Sequence, residues 1–471
     1  MTDDPSVDAN LFCSAADVRR SLSYLLPRLV PYWERPLHEY AAAIYDVEPF
    51  HSGNARRRHA MNLLRLCVER AARRSGYGDD EAKGAGAELV AAPVMQTGPH
   101  ALLIVEPDAF YTQLFSLMGL AAHRRQWQIN YSVSTSAFKE SAKKGPGWLR
   151  LEGEALNVFG LPRRRLIDSS IACFNGPYRF RLSNSKHVSA PNASAARLLA
   201  ELPDSAFSCA AEAIRMGNLA LWHGILHAPT KLLQLDDFDM ADLIADHLED
   251  VGSWVSSLFV HGGGGAVSIL DTIDRLNSGP WRGWILRSTD FFWRLEEHKV
   301  VPLHLHDGVL RTSRSPSFEV KFTPACLAAA LRGRAILPGM FIAYLVVSIL
   351  PGVRVLGGCR QTVYLPLMRY LTAIGAQRAG DTDLLAALEG DERPGVWGHR
   401  VLRLADGYPF QEVEQAGGVL PLLSRYAEMP LVETSGDLAS FTGDPIWAEI
   451  SEHIRSGAIA RTSDEWKWSG I

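Results

Sequence analysis

The chain is predicted to fold as an α/β protein, on three observations. Short apolar pieces bounded by turn residues alternate with longer stretches of helical periodicity. Two of these pieces, in "VMQTGPHALLIVEP" (Val94–Pro107) and "PGVRVLGGCRQTVYL" (Pro351–Leu365), carry Gly-containing turns and are followed by helical patterns. The chain has 471 residues and is 47% hydrophobic, enough for a large core.

The elements follow in chain order. From Ser14 to Arg74, apolar residues recur every three or four positions, as in "VRRSLSYLLPRLVPYW" and "HAMNLLRLCVERAARR", which predicts helices. The Gly-rich run Ser75–Glu88 reads as a loop or linker. Leu89–Met95 and Ala101–Val105 read as buried strands, and "AFYTQLFSLMGLAAHRRQW" as the helix after them. From Ile129 to Leu182 the pattern is mixed, with Tyr178–Leu182 alternating as a half-buried strand does. A helical region follows from about Ser194 to Val260, and Asp307-Gly308 between two β-like runs signals a hairpin. Ile336–Gly358 is strongly apolar. Pro338, Pro351 and Arg354 cut it below the ~20 residues of a spanning helix, so a buried helix and then a buried strand are expected.

Charge and cysteine content narrow the function classes. With 48 basic and 52 acidic residues the formal net charge is −4, which gives no electrostatic reason to expect nucleic acid or an anionic membrane as partner. Arg56-Arg57-Arg58 and Arg163-Arg164-Arg165 read as solvated faces. The six cysteines, at 13, 67, 173, 209, 326 and 359, show no CxxC spacing, so reduced thiols in a cytoplasmic protein are expected. The opening "MTDDPSVDANLF" has neither a basic region nor an apolar core of the secretory kind.

Four clusters carry possible chemistry. Asp242, Asp246, Glu249 and Asp250 share one helix face, as carboxylates that bind hard cations do, but also as any solvated face does. "HGGGG" (His261–Gly265) is similar to an esterase oxyanion loop, yet the chain has no Gly-x-Ser-x-Gly nucleophile turn, and glycines after a long helix serve as its stop. His304 and His306 alternate on one strand face beside Asp307, without a third ligand at metal spacing. The best local candidate is Gly357-Gly358, followed by Arg360, Gln361 and Tyr364. Glycines between a buried strand and a helix admit a ligand to the backbone and to the helix N–H groups. A tight packing corner has the same composition.

Two stretches together resemble the cysteine-adding enzymes (cysteine ligases) of bacillithiol biosynthesis. That family has a Thr-Gly turn before an apolar run and a Pro, and later a Leu-Pro followed by Gly-Gly-x-x-Glu-x-x-Tyr. Here the corresponding residues are Thr97, Gly98, Pro99, His100 and Pro107, then Leu337-Pro338 and Gly357, Gly358, Gln361 and Tyr364. The match covers about a quarter of the chain. The family's Glu is Gln361 here, a Lys of its first helix falls at Gln113, and its Asp-His-Asp segment after the second strand has no counterpart.

The resemblance implies a Rossmann-like core with helical additions. The expected layout is a helical region over 1–88, the first part of the core over 89–190, a helical insertion over 191–299, the second part of the core over 300–375 and a helical tail over 376–471. It also implies a ligase that condenses an amino acid, cysteine in the family itself, or a related acid with an amine, in specialised metabolism. ATP, or an acid already activated by another enzyme, would supply the driving force. His100 would be the catalytic group, titrating near neutral pH. Thr97, Gly98, Gly357, Gly358, Gln361 and Tyr364 would bind the small-molecule substrate. Two other readings are carried forward: a non-catalytic binding or scaffold protein on the same fold, and a metal-dependent hydrolase. A satisfied turn histidine is the plain alternative for His100. Oligomeric state and any metal are left open.

Overall fold

The computed structural model describes residues 14–138, 145–260, 264–313, 317–391, 395–403 and 409–470. The acidic N-terminal stretch and His261-Gly262-Gly263 of the glycine run lie outside the described residues. The architecture is mixed α/β around a sheet of five parallel strands. These are β1 (Val94–Gln96), β2 (Trp127–Tyr131), β3 (Lys231–Leu235), β4 (Arg354–Gly357) and β5 (Val396–Trp397). Their order across the sheet is β5-β4-β1-β2-β3. The chain therefore works outward from β1 in one direction, then returns to β1's other side, and the order reverses between β1 and β4.

The sheet is buried on both faces, as parallel sheets are when helices cover them. All five residues of β2 are buried, as are four of the five in β3. The helix Pro107–Ala122 carries the chain from β1 to β2 and buries every residue from Ala109 to Leu120, so it is an interior element rather than an amphipathic surface helix. Helix Gln361–Arg378 leads from β4 towards β5 and packs on helix Gly265–Asn277. Besides an antiparallel hairpin of Trp148–Leu151 with Glu154–Asn157, two three-stranded antiparallel sheets flank this core. One joins Phe292–Leu295, Val300–Pro302 and Ile336–Pro338, the other His304–His306, Val309–Arg311 and Glu319–Lys321. Among the described residues no helix is long and apolar enough to cross a membrane.

Several expectations hold. Asp307 and Gly308 both have positive φ, +48° and +74°, in the hairpin between His304–His306 and Val309–Arg311. The apolar segment 336–358 divides into a short strand, a helix over Met340–Tyr344 with a π-helical turn over Leu345–Ile349, and β4.

Other expectations need correction. Ser75–Glu88 is not a linker, for Asp79–Ala91 is a helix. Ala82, Ala85 and Leu89 are buried, and Gly86 lies so close to helix Ala55–Arg74 that a Cβ would meet Arg65 Cγ at 2.9 Å. Small residues there permit close helix packing, not flexibility. Ala101–Val105 is largely buried but is a loop. Its backbone is met by a side chain instead of a strand, with Asn218 Nδ2 donating to Leu102 O at 2.8 Å and Ile104 N donating to Asn218 Oδ1 at 2.7 Å. Tyr178–Leu182 forms no strand. Tyr178 makes one bridge with Phe207, and Leu182 breaks the extended run at φ +46°. The region 191–299, expected to be helical, contributes β3, and the tail 376–471 contributes β5.

One buried cation sets the start of β4. Arg57, 7% exposed, donates from Nε to Leu350 O (3.1 Å), from Nη1 to Ala387 O (3.0 Å) and from Nη2 to Asp391 (2.7 Å). Gly352, at φ +71°, turns the chain against this guanidinium, where a Cβ would sit 2.2 Å from Nη2. Arg57→Ala removes the cation from a buried carboxylate and is expected to cost about 3–5 kcal/mol, read as a lower urea midpoint. Arg57→Lys should recover only part of this, since an ammonium lacks the planar fork.

Candidate functional site

The C-terminal ends of β1 and β4 lie side by side, paired in register through Gln96 and Leu356. Beyond them Thr97 keeps the pairing going, its N donating to Leu356 O at 2.8 Å. The Thr97 hydroxyl lies 2.9 Å from the same carbonyl and 3.0 Å from Gln361 Oε1. That oxygen also accepts from Tyr344 OH at 2.9 Å and Tyr364 OH at 3.0 Å. Gln361 reaches this position across the bare face of Gly357, where a Cβ would stand 2.0 Å from Oε1. Gly357 is therefore required by a close approach, but the approaching group is a protein side chain.

A second contact joins the two turns. His399, just after β5, lies against Gly98, where a Cβ would meet its Cγ at 2.6 Å, and near Gly358. Thr112 Oγ1 donates to Asp108 O (2.7 Å), so His399 Nδ1, 2.8 Å from the same hydroxyl, serves as the donor in that pair. Burial, with smaller contributions from Arg400 and His100, pushes the His399 imidazole down to about 3, so it is neutral at pH 7.

Above these turns is a cavity of about 370 Å³. His100, Tyr131, Thr135 and Asp237 line it from the ends of β1, β2 and β3, together with Tyr344, Tyr364, residues 283–289 and Phe291. Leu286 and Met340 line it and are also exposed, at 66% and 41%. Its walls are mainly aromatic and apolar with a few polar groups, the composition of small-molecule sites. Asp237 is its buried acid. Tyr131 OH (2.6 Å), Ser134 N (2.8 Å), Thr135 N (2.7 Å) and Ser134 Oγ (3.2 Å) all donate to its carboxylate. Burial nevertheless raises the Asp237 carboxyl above the usual range. Burial likewise raises Tyr344 and Tyr364, which remain protonated donors at neutral pH.

The structure gathers every residue expected from the two turns, in two different roles. His100 is exposed at the cavity and Tyr364 lines it. Thr97, Gly98, Gly357 and Gln361 are packed beneath, and Gln361 is 2% exposed with its oxygen already surrounded by hydroxyls. Gly358 is half-buried beside His399. Gln113, standing where the resembled family has a Lys, is buried and accepts from Gln128 Nε2 at 2.7 Å, away from the cavity.

Asp237, Tyr131, Tyr344 and His399 were not anticipated. Asp236-Asp237 directly after the apolar run "KLLQL" was the available signal for the first of these. The outward acidic face is committed to ion pairs. Arg332 meets Asp246 at 2.5 Å and Glu249 at 2.9 Å, Arg334 meets Asp242 at 2.7 Å, and Arg70 meets Asp246 at 2.5 Å. His304 lies 3.8 Å from Asp290, and among the described residues no three His, Cys, Asp or Glu side chains gather as a metal site would. Cys67, Cys173, Cys209, Cys326 and Cys359 are free thiols. No family model matches the chain, and no curated protein matches it.

Two outcomes follow from this packing. Gly357→Ala must drive Gln361 out of its hydroxyl cluster, with an expected loss of about 1–3 kcal/mol in denaturant unfolding. For His399, the unfolded chain takes up a proton below about pH 6.5 while the folded chain does so only near 3. Its contribution is therefore full above pH 6.5 and is lost as pH falls, by at most about 1.4 kcal/mol per pH unit. Glu106 and Asp239, both pushed up to about 7 mainly by burial, oppose this trend over part of the same window. The measurable quantity is accordingly the difference from His399→Gln: between pH 7 and 5, wild type should lose stability more steeply than the variant.

Proposed function

We propose that the chain is a small-molecule enzyme of the carbon–nitrogen ligase type, on a Rossmann-like core, condensing an amino acid or related acid with an amine. The observation that carries this reading is one of place. The cavity opens at the carboxyl ends of β1, β2 and β3, beside the point where the strand order reverses, and both Gly turns meet beneath it. In open parallel sheets that crevice is where ligands bind. The order β3-β2-β1-β4-β5 supports the Rossmann-like assignment, and the likeness of the two turns to the cysteine-adding enzymes supports the reaction class.

In this reading the acid arrives activated, by ATP within the site or by another enzyme beforehand. The amine, bound as its ammonium, first loses one proton to solvent; its nitrogen then attacks the acyl carbon, the C–N bond forms as the activating group leaves with its electron pair, and the nitrogen gives up a second proton. His100 takes that proton, being exposed at the cavity and carrying an imidazole, a common general base. Tyr364 and Tyr344 offer hydroxyls at the cavity floor. Gln361, where the resembled family has Glu, acts by holding those hydroxyls rather than by exchanging protons. That substitution, with the burial of Gln113, favours a binding protein without turnover as the second reading.

Thermal unfolding of the full chain with ATP, ADP, AMP and free amino acids tests both. A ligand at a hundred times its dissociation constant adds about 2.7 kcal/mol to the native state. A rise in Tm with a nucleotide or amino acid is expected, together with amide product detected by mass spectrometry. His100→Ala should abolish the product and Tyr364→Phe should weaken the ligand shift, with both variants still unfolding cooperatively. A ligand shift with no product under any combination would favour the binding protein, and no shift at all would overturn the site.

A further inference from the structure

The charged groups around the cavity are unequal in their partners. Arg287 is held by Asp290 through two hydrogen bonds of 2.7 and 2.9 Å, and by Asp274. Arg360 is held by Asp444 through two more, of 2.5 and 2.7 Å. On either side of Asp237 in sequence, Asp236 and Asp239 face Arg74, at 3.9 and 2.6 Å, and Arg215 lies 3.9 Å from Asp236. Asp237 differs. It is 1% exposed, and among the described residues every donor to it is neutral and no Lys, Arg or His forms an ion pair with it.

A buried carboxylate without a counter-charge carries an uncompensated desolvation cost, which a cation brought by a ligand would offset. The walls suit such a ligand. Tyr131, Trp284, Phe291, Trp293, Tyr344 and Tyr364 put aromatic rings around the same space, and ring faces attract cations when water is excluded. The two guanidiniums at the cavity are already paired, so they do not compete for Asp237.

We infer that Asp237 is the seat of the amine: the cavity takes a primary ammonium group, on an apolar or aromatic body, against the Asp237 carboxylate. This rests on the proposal that the cavity is the substrate site, and adds to it which residue recognises which half of the substrate. Burial acts on Asp237 in the matching direction, raising its carboxyl as expected of a charge still lacking a partner.

Isothermal titration of the full chain with phenethylamine and with its uncharged counterpart 2-phenylethanol tests the inference. Wild type is expected to bind the amine at least tenfold more tightly than the alcohol, and Asp237→Asn to lose that preference. The amide can accept the same backbone N–H bonds and share one with Tyr131, so the variant should keep the wild-type Tm. Equal affinity for amine and alcohol in wild type overturns the inference without recourse to any variant, as does failure of both to bind at millimolar concentration. Retention of the preference in a folded Asp237→Asn variant overturns it too. The ligase proposal fails separately. Amine binding through Asp237 with no amide product keeps this inference and removes the ligase. Amide formation by a cavity that does not distinguish amine from alcohol does the reverse.

Discussion

The contact that the site depends on is one amide oxygen, Gln361 Oε1, which accepts from the Tyr344 and Tyr364 hydroxyls and lies 3.0 Å from that of Thr97, across the side-chain-free face of Gly357. Thr97 brings the end of β1 to it, Tyr344 brings the helix after the strand Ile336–Pro338, and Tyr364 brings the helix after β4. Each such bond is worth only about 1 kcal/mol net, but an unsatisfied partner left in this interior would cost about 1–3 kcal/mol. The cluster therefore acts as a constraint on geometry more than as a store of stability. It fixes the floor of the cavity by making every alternative position of these three segments expensive. Gln361 Nε2 is buried without a hydrogen-bond partner among the described residues, so the side chain is held through its oxygen.

The same logic runs through the sheet. Gln96 donates to Ser116 Oγ at 3.0 Å and Gly398 O at 2.9 Å, so β1 is tied both to the helix behind it and to the turn after β5. Gln128 donates to Gln113 at 2.7 Å and Asn130 at 3.1 Å, and Asn218 to Gln234 at 2.9 Å. Buried amides in an otherwise apolar sheet specify register and neighbours, because a shifted strand would leave them unpaired. The residue types that suggested a reactive centre at this edge serve first to hold it in one shape. His399 belongs with them: its depressed basicity follows from being packed over Gly98, and as a neutral ring it donates to Thr112 rather than carrying charge.

What was legible in the sequence, and what was not, follows from these interactions. The two Gly turns were visible because close approach leaves a mark in composition, although composition does not say whether ligand or side chain approaches. Gly357 shows the second case. The hairpin at Asp307-Gly308 and the division of 336–358 were visible because turn chemistry and proline act locally. β3 was hidden because "KLLQL" is a short, wholly buried run that periodicity cannot distinguish from helix, and β5 because two residues carry no period at all. Helix Asp79–Ala91 was hidden for a different reason. Its glycines and alanines are there to let a neighbour come close, yet in sequence they read as a flexible linker. Ala101–Val105 reads as a strand because it is apolar, while its pairing partner is the side chain of Asn218, more than a hundred positions away.

Asp237 shows the same limit most sharply, since what sets it apart is the lack of a counter-charge among the described residues. The helix it begins presents Asp242, Asp246 and Glu249 outward, and these drew attention by their spacing. In the folded chain they are answered by Arg70, Arg332 and Arg334, on elements distant in sequence, and become an ordinary paired surface. Asp236 and Asp239, turned inward, are answered by Arg74 and Arg215. Of this acidic run, Asp237 is the residue that points at the end of β2, where Tyr131, Ser134 and Thr135 supply hydrogen bonds but no charge. A spacing pattern counts carboxylates and cannot count their partners, which arrive from other segments of the chain. What remains of such an acid's charge is the difference between the two, and among the described residues that difference is not zero at Asp237.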